Sequence, residues 1–294
     1  MDFEHRGGNR RNPRTPRGTV IQPVKGITLL PKLIDLTSTI DPAKRDLLPE
    51  HLKNLRPVIA PLVDVFHPLA KGRDATCAVF GCCPEDLPDG EGWGAERLND
   101  MSSHCGTHVD APLHSGAHIE GRAARTITDI SLDELFRPAV VLDVRPWARP
   151  NEGISLAALD RALEATGGPI EKGMAVLIRT GQERYDITDP EFTTYPGMTR
   201  AGTLHLTGQG ATILGTDAFA WDRPFAVMKR LFQETKDRSQ IWDGHYAIRE
   251  REAFIVQKLE NLGALPLRGF SVGFFPMKLA GMSAAPARVV AFVD

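Results

Sequence analysis

The sequence predicts an α/β protein, a mixed β-sheet core with flanking helices in a single domain. Three observations carry this: short, nearly continuous apolar runs recur between Gly, Pro or Asp; an amphipathic helical segment separates two of them; and no low-complexity segment or fixed-period repeat interrupts the pattern. AVVLDV (139–144) comes first, and its lack of polar alternation fits a strand covered on both faces. SLAALDRALEATGG (155–168) has helical spacing, with Ser155 placed to cap, Leu156, Leu159 and Leu163 on one face, and Gly167 at the stop. MAVLIRT (174–180) is the next buried strand. TRAGTLHLTGQG (199–210) reads as a second helix, against the preference of its internal glycines and threonines, and leads into the strand ATILGTD (211–217). FSVGFF (270–275) and RVVAFV (288–293) complete the strands.

The 294 residues, 42% hydrophobic and 24% charged, suffice for a large core. Thirty-five Lys and Arg oppose 37 Asp and Glu, and the formal charge of −2 provides no field to draw in nucleic acid or an acidic membrane. No run approaches the roughly 18 apolar residues that span a bilayer, and the N-terminal MDFEHRGGNRRNPRTPRG lacks the apolar stretch of a secretory signal. The expectation is a cytoplasmic protein that handles a small molecule, with no nucleic acid and no membrane partner. Cys77, Cys82, Cys83 and Cys105 form neither a disulfide framework nor a CxxC zinc pair. Residues 1–24, rich in Arg, Gly and Pro and poor in aliphatic side chains, are expected to be a disordered basic arm, which leaves 25–294 as the folded domain.

Residues 104–114 read HCGTHVDAPLH, so three of the nine histidines and one aspartate fall within eleven residues. His104, His108 and Asp110 offer two imidazoles and a carboxylate, a donor set for a catalytic divalent cation with positions left open for water and substrate. Gly106 between the histidines and Pro112 just beyond argue for a strand end or tight loop rather than a helix. Period two then puts His108 and Asp110 on one side, and a bend at Gly106 lets His104 join them. His114, past the proline, is free to carry protons. No GxSxG elbow supplies a competing nucleophile, and Cys105 reads as packing.

This segment resembles the HxGTHxDxPxH signature of the cyclase family of metal-dependent hydrolases, a group that includes kynurenine formamidase, isatin hydrolase and a trans-dienelactone hydrolase. The resemblance continues through LIDLTSTI (33–40), EDLPDGEGWGAE (85–96), VLIRTG (176–181), ILGTDAFAWDRPF (213–225), WDGHY (242–246), QKLENLGALP (257–266) and FFPMKLAGMSAAPARVVA (274–291). It implies the family's swivelling β/β/α fold, opening on LIDLTSTI. It implies His104, His108 and Asp110 as metal ligands, His114 as the acid/base histidine, and His245 as a histidine that contacts metal or substrate. Twelve residues beyond His245, where many relatives carry a ligating glutamate, this chain has Gln257. An amide offers one carbonyl oxygen and no charge, so Gln257 is expected to complete the site of a single Zn²⁺ or Mn²⁺ rather than bridge two cations.

The reaction implied is hydrolytic opening of a small lactone or lactam by water that the cation activates, with His114 or His245 moving the protons. Arylformamidase activity, a non-catalytic metal- or ligand-binding relative, and a polyketide-type cyclase are the alternatives. The family's habit of forming dimers or tetramers implies a homo-oligomer. Trp93, Trp221, Phe225 and Trp242 lie beside the shared motifs and are expected to wall a pocket for a flat ring, the other reading being that they are core. Asp217 and Asp222 are each suited to orient a ligand histidine or to hold a turn, and Asp217, at the end of a buried strand, is assigned the first role.

Overall fold

The computed structural model describes residues 30–294, of which Pro31–Asp294 forms one compact unit. The basic arm expected over residues 1–24 lies outside the described residues. The strands are β1 (Lys32–Asp35), β2 (Leu62–Phe66), β3 (Ala95–Asn99), β4 (His108–Asp110), β5 (His118–Ile119), β6 (Arg122–Ala123), β7 (Phe136–Asp143), β8 (Ala175–Arg179), β9 (Ile213–Thr216), β10 (Phe254–Gln257), β11 (Phe270–Pro276) and β12 (Ala284–Val293). The helices are α1 (Arg56–Ile59), α2 (Lys71–Phe80), α3 (Pro112–Ser115), α4 (Leu132–Leu135), α5 (Leu156–Glu164), α6 (Arg200–Gly208), α7 (Phe225–Thr235) and α8 (Asp243–Tyr246).

Seven strands close into a barrel in the order β12-β11-β7-β8-β9-β10-β4, because β4 pairs with both β10 and β12. The run β7-β8-β9-β10 is parallel and the remaining pairings are antiparallel, which makes the sheet mixed. β12 is long enough to serve two neighbours along the edge opposite β11: Ala284–Pro286 pair with β4, while Val290–Val293 pair with β1 outside the ring.

Alternation along each strand sorts the core into two layers. Val109, Val141, Leu177, Val256, Val272 and Val289 pack together inside the barrel. Their neighbours Val140, Leu142, Val176, Ile178, Leu214 and Ile255 face outward, under Leu159 of α5 and Leu206 of α6. Both faces are thus covered, the physical reason that the strands read as unbroken apolar runs.

The predicted helices form as their caps indicate: the Ser155 hydroxyl accepts from the Ala158 N–H, and the Thr199 hydroxyl from the Gly202 N–H. α6 tolerates Gly202 because the helix lies close against its neighbours there, and a Cβ at that position would come within 2.4 Å of the Met198 sulfur. Several elements go beyond the sequence-based expectation, among them the start of β12 at Ala284, ahead of RVVAFV, the strands β2, β3 and β10, and the helices α2 and α7. β10 is four residues ending in a polar side chain, too short a run to show a period. β2, α2 and β3 form a separate layer beside the barrel, and all four cysteines are free thiols.

Candidate active site

The same alternation turns a group of polar side chains outward from β4 and β10. Val109 and Val256 point into the barrel, so His108, Asp110 and Gln257 stand on the other face, with His108 opposite Gln257 in register. The turn before β4 brings up His104, α3 brings up His114, and α8 carries His245 over the same spot. Gly106 permits that turn, since its φ is +63° and a Cβ there would lie 2.6 Å from Ile40 Cγ1.

Hydrogen bonds prepare the imidazoles as donors. His108 Nδ1–H donates to the Gly106 carbonyl at 2.8 Å, which leaves the Nε2 lone pair facing Asp110. Asp110 Oδ1 is buried and has no hydrogen-bond partner among the described residues, 3.4 Å from both His104 Nε2 and His108 Nε2. Ligand atoms bound at about 2.0–2.1 Å around a tetrahedral Zn²⁺ stand about 3.3 Å apart, so an orphaned carboxylate oxygen at this spacing from two imidazole nitrogens fits a divalent cation. His114 is also within reach: its Nδ1 is 2.9 Å from His104 Nε2, and ligand atoms of His104, Asp110 and His114 lie within 4.8 Å of one another.

The electrostatics agree with a ligand set. Burial lowers His104 and pushes His108 and His114 down to about 4, so these rings are neutral at pH 7. Burial would raise Asp110, but His108 and the other histidines around it hold the carboxylate well below the usual range. His245 differs: burial would lower it, yet Asp222, together with Asp110, raises it to about 9.

Gln257 departs from the expected ligand role. Its Oε1 accepts the Trp221 backbone N–H at 3.1 Å, and its Nε2 donates to Asp110 Oδ2 at 2.6 Å. A backbone N–H can only donate, so the amide oxygen must face Trp221 and the NH₂ must face the cluster. The orientation of His245 is set by Asp222 rather than Asp217: Asp222 pairs with His245 Nδ1 and also accepts the Gly244 N–H. Asp217 instead accepts from the Thr180 N–H and hydroxyl and the Gly181 N–H, and so holds the loop after β8. Its backbone sits at a strand end as expected, but its carboxylate turns toward a neighbouring strand's loop.

A cleft of about 180 Å³ opens over the cluster, walled by Leu55, Val58, Phe219, Phe225 and Trp242. Trp242 adopts φ +50°, stacks on His245 with ring centres 4.5 Å apart, and meets His114 edge-on at 4.8 Å. The other two expected wall residues lie elsewhere. Trp221 is buried in the outer core with its Nε1–H on Thr203, and Trp93 packs against Phe80 beside α2. Lys258, which the sequence reading passed over, donates from Nζ to the Val58 carbonyl at 2.9 Å and lies 4.6 Å above Phe219. A single lysine in a loop carries no local signal of such a position.

Comparison with known proteins places this arrangement. The family model named Cyclase matches residues 34–223. Kynurenine formamidase of Salinibacter ruber is 27% identical over 214 residues, covering 67% of this chain and 84% of the relative. Isatin hydrolase of Roseibium aggregatum is 26% identical over 211 residues, 66% of this chain and 73% of the relative. Among solved structures, isatin hydrolase A from Labrenzia aggregata, bound to benzyl benzoate, superposes with a TM-score of 0.65 at 21% identity, over 89% of this chain and 93% of the other. That superposition shows a shared fold, and the family model extends over most of the chain: this protein belongs to the cyclase family.

Proposed function

We propose that this protein hydrolyses a small cyclic amide, opening a lactam ring with water, and that it works with one Zn²⁺ or Mn²⁺ held by His104, His108 and Asp110. A lactone lies within the same chemistry. The observation that carries this reading is Asp110 Oδ1, buried, unpartnered among the described residues and 3.4 Å from two imidazole nitrogens. Relatives named isatin hydrolase and kynurenine formamidase support hydrolysis at a carbon–nitrogen bond. A divalent cation supplies polarisation of the scissile carbonyl and makes water a competent nucleophile near neutral pH.

The chain's own groups do the rest. The Gly106 carbonyl and the Asp222 carboxylate fix the rings of His108 and His245. His114 and His245 border the cleft and exchange protons with the attacking water and the leaving nitrogen. Phe219, Phe225 and Trp242 hold a flat ring and exclude bulk water. The Gln257 NH₂, turned toward Asp110, offers no oxygen to a second cation and favours a mononuclear site. A homo-oligomer belongs to the same reading, because Leu62, Val65, Val79 and Phe80 of the β2–α2–β3 layer are exposed; light scattering on the eluting protein tests it.

Elemental mass spectrometry and an isatin hydrolysis assay test the central claim. About one atom per chain is expected, and His108→Ala is expected to lose both metal and turnover. Full hydrolysis by that variant overturns the proposal. Arylformamidase activity is the second reading, favoured by the formamidase relatives, and faster turnover of N-formylaniline than of isatin would select it.

A further inference from the structure

A second hollow adjoins the cleft across one of its walls. Leu55, Phe219 and Phe225 also bound this hollow of about 470 Å³, larger than the cleft itself, whose floor adds Leu52, Tyr195 and Pro224. A mostly apolar hollow of this size beside a reaction site is a place where part of a bound ligand can bury apolar surface. Phe225 is the telling residue. It opens α7, remains 56% exposed, and borders both spaces.

A third hollow of about 290 Å³ runs along α7 past Met228 and Phe232 and shares Phe225 and Trp242 with the cleft, but it is the smaller of the two, and Trp242 is held in place by stacking on His245. The larger hollow is divided from the cleft by Leu55, Phe219 and Phe225, of which Phe225 is exposed. Among the described residues its lining holds no carboxylate, lysine or arginine, and its polar groups are those of His51, Asn54, Thr193 and Tyr195. Most of the surface it exposes is apolar, so an apolar group entering it is favoured by release of water.

We infer that this hollow is a subsite for an apolar substituent of the substrate, an alkyl chain or a second aromatic ring, so that the preferred substrate is a tailed cyclic amide rather than the bare ring. The inference rests on the ring-opening reading for what the cleft does, and on the shared wall for where the tail goes. The ring lies between Phe219 and Phe225 with its carbonyl toward His104, His108 and Asp110. The tail passes Leu55 into the hollow. Phe225, free on one side, moves to admit it.

The test uses isatin and isatins with straight alkyl chains on the nitrogen or on each ring carbon, with binding measured by calorimetry and turnover by initial rates on the full chain. Affinity is expected to rise about threefold to fourfold per added methylene, for at least one position of attachment, until the hollow is filled. Ala226→Trp and Asn54→Trp place bulk at two exposed lining positions, one in α7 and one ahead of α1, and each is expected to flatten the dependence on chain length. No gain with length at any position overturns the inference, as does a full gradient retained in both variants. If no isatin is hydrolysed but affinity still climbs with length and the variants flatten it, the subsite stands and the ring-opening reading falls.

Discussion

Gly106→Ala is the perturbation that best probes how the sequence builds this site. Gly106 has φ +63°, and a Cβ there would come 2.6 Å from Ile40 Cγ1 and 3.0 Å from Ile40 Cδ1. Two costs are separable. An L-residue in the left-handed region costs about 1–2 kcal/mol more than glycine, and forcing a methyl against a packed neighbour costs about 1–3 kcal/mol more. The single variant should therefore lose roughly 2–5 kcal/mol in urea unfolding, with about the same m-value as the parent. Ile40→Ala removes both clashing atoms but leaves the backbone strain. The pair should then be more stable than the sum of the singles by about 1–3 kcal/mol, the steric share. Metal content measured alongside should fall in Gly106→Ala, because the turn that presents His104 shifts. A loss below about 0.5 kcal/mol, the scale of a neutral substitution, or strict additivity in the pair, would show that Gly106 is not under the constraint described.

Three further outcomes are expected. Gln257→Glu sets a carboxylate against Asp110 where an amide now donates at 2.6 Å, so the metal-free variant should melt lower at pH 7 and recover on adding Zn²⁺ or Mn²⁺, with metal rising toward about two atoms per chain; unchanged melting and stoichiometry would refute this. Asp222→Asn removes the charge that raises His245 to about 9. A histidine raised in the folded state stabilises fully below its unfolded value and loses that contribution as pH climbs through the folded one. The metal-free parent should thus lose stability between pH 6.5 and 9, and the variant should lose less, as urea titrations at both ends would show. Trp242→Ala deletes the ring stacked on His245, and about a tenfold fall in kcat/KM is expected if that contact is worth about 1.4 kcal/mol, with Trp242→Phe recovering most of it.

What could be read from the sequence, and what could not, divides along a physical line. His104, His108, Asp110 and His114 lie within eleven residues, and one short strand with a glycine bend before it and the single turn of α3 after it bring them together, so local rules reach them. The barrel strands show themselves for a similar reason, since covering both faces leaves apolar runs that need no partner to be recognised. The rest depends on where distant side chains turn. Asp217 and Asp222 are five residues apart in one motif, and only the packing of α8 against the loop after β9 decides that Asp222 meets His245 while Asp217 meets Thr180. Gln257 resembles a ligand by position, yet the backbone N–H of Trp221, thirty-six residues away, turns its oxygen aside. Trp221 and Trp93 sit in motifs near the site by sequence and away from the cleft in space, because one fills the outer core and the other rides on the β2–α2–β3 layer. A residue's chemistry is written in its type, but its direction is set by whichever partner satisfies its remaining hydrogen bonds. In this site, the side chains whose partners are local are the ones a sequence can orient.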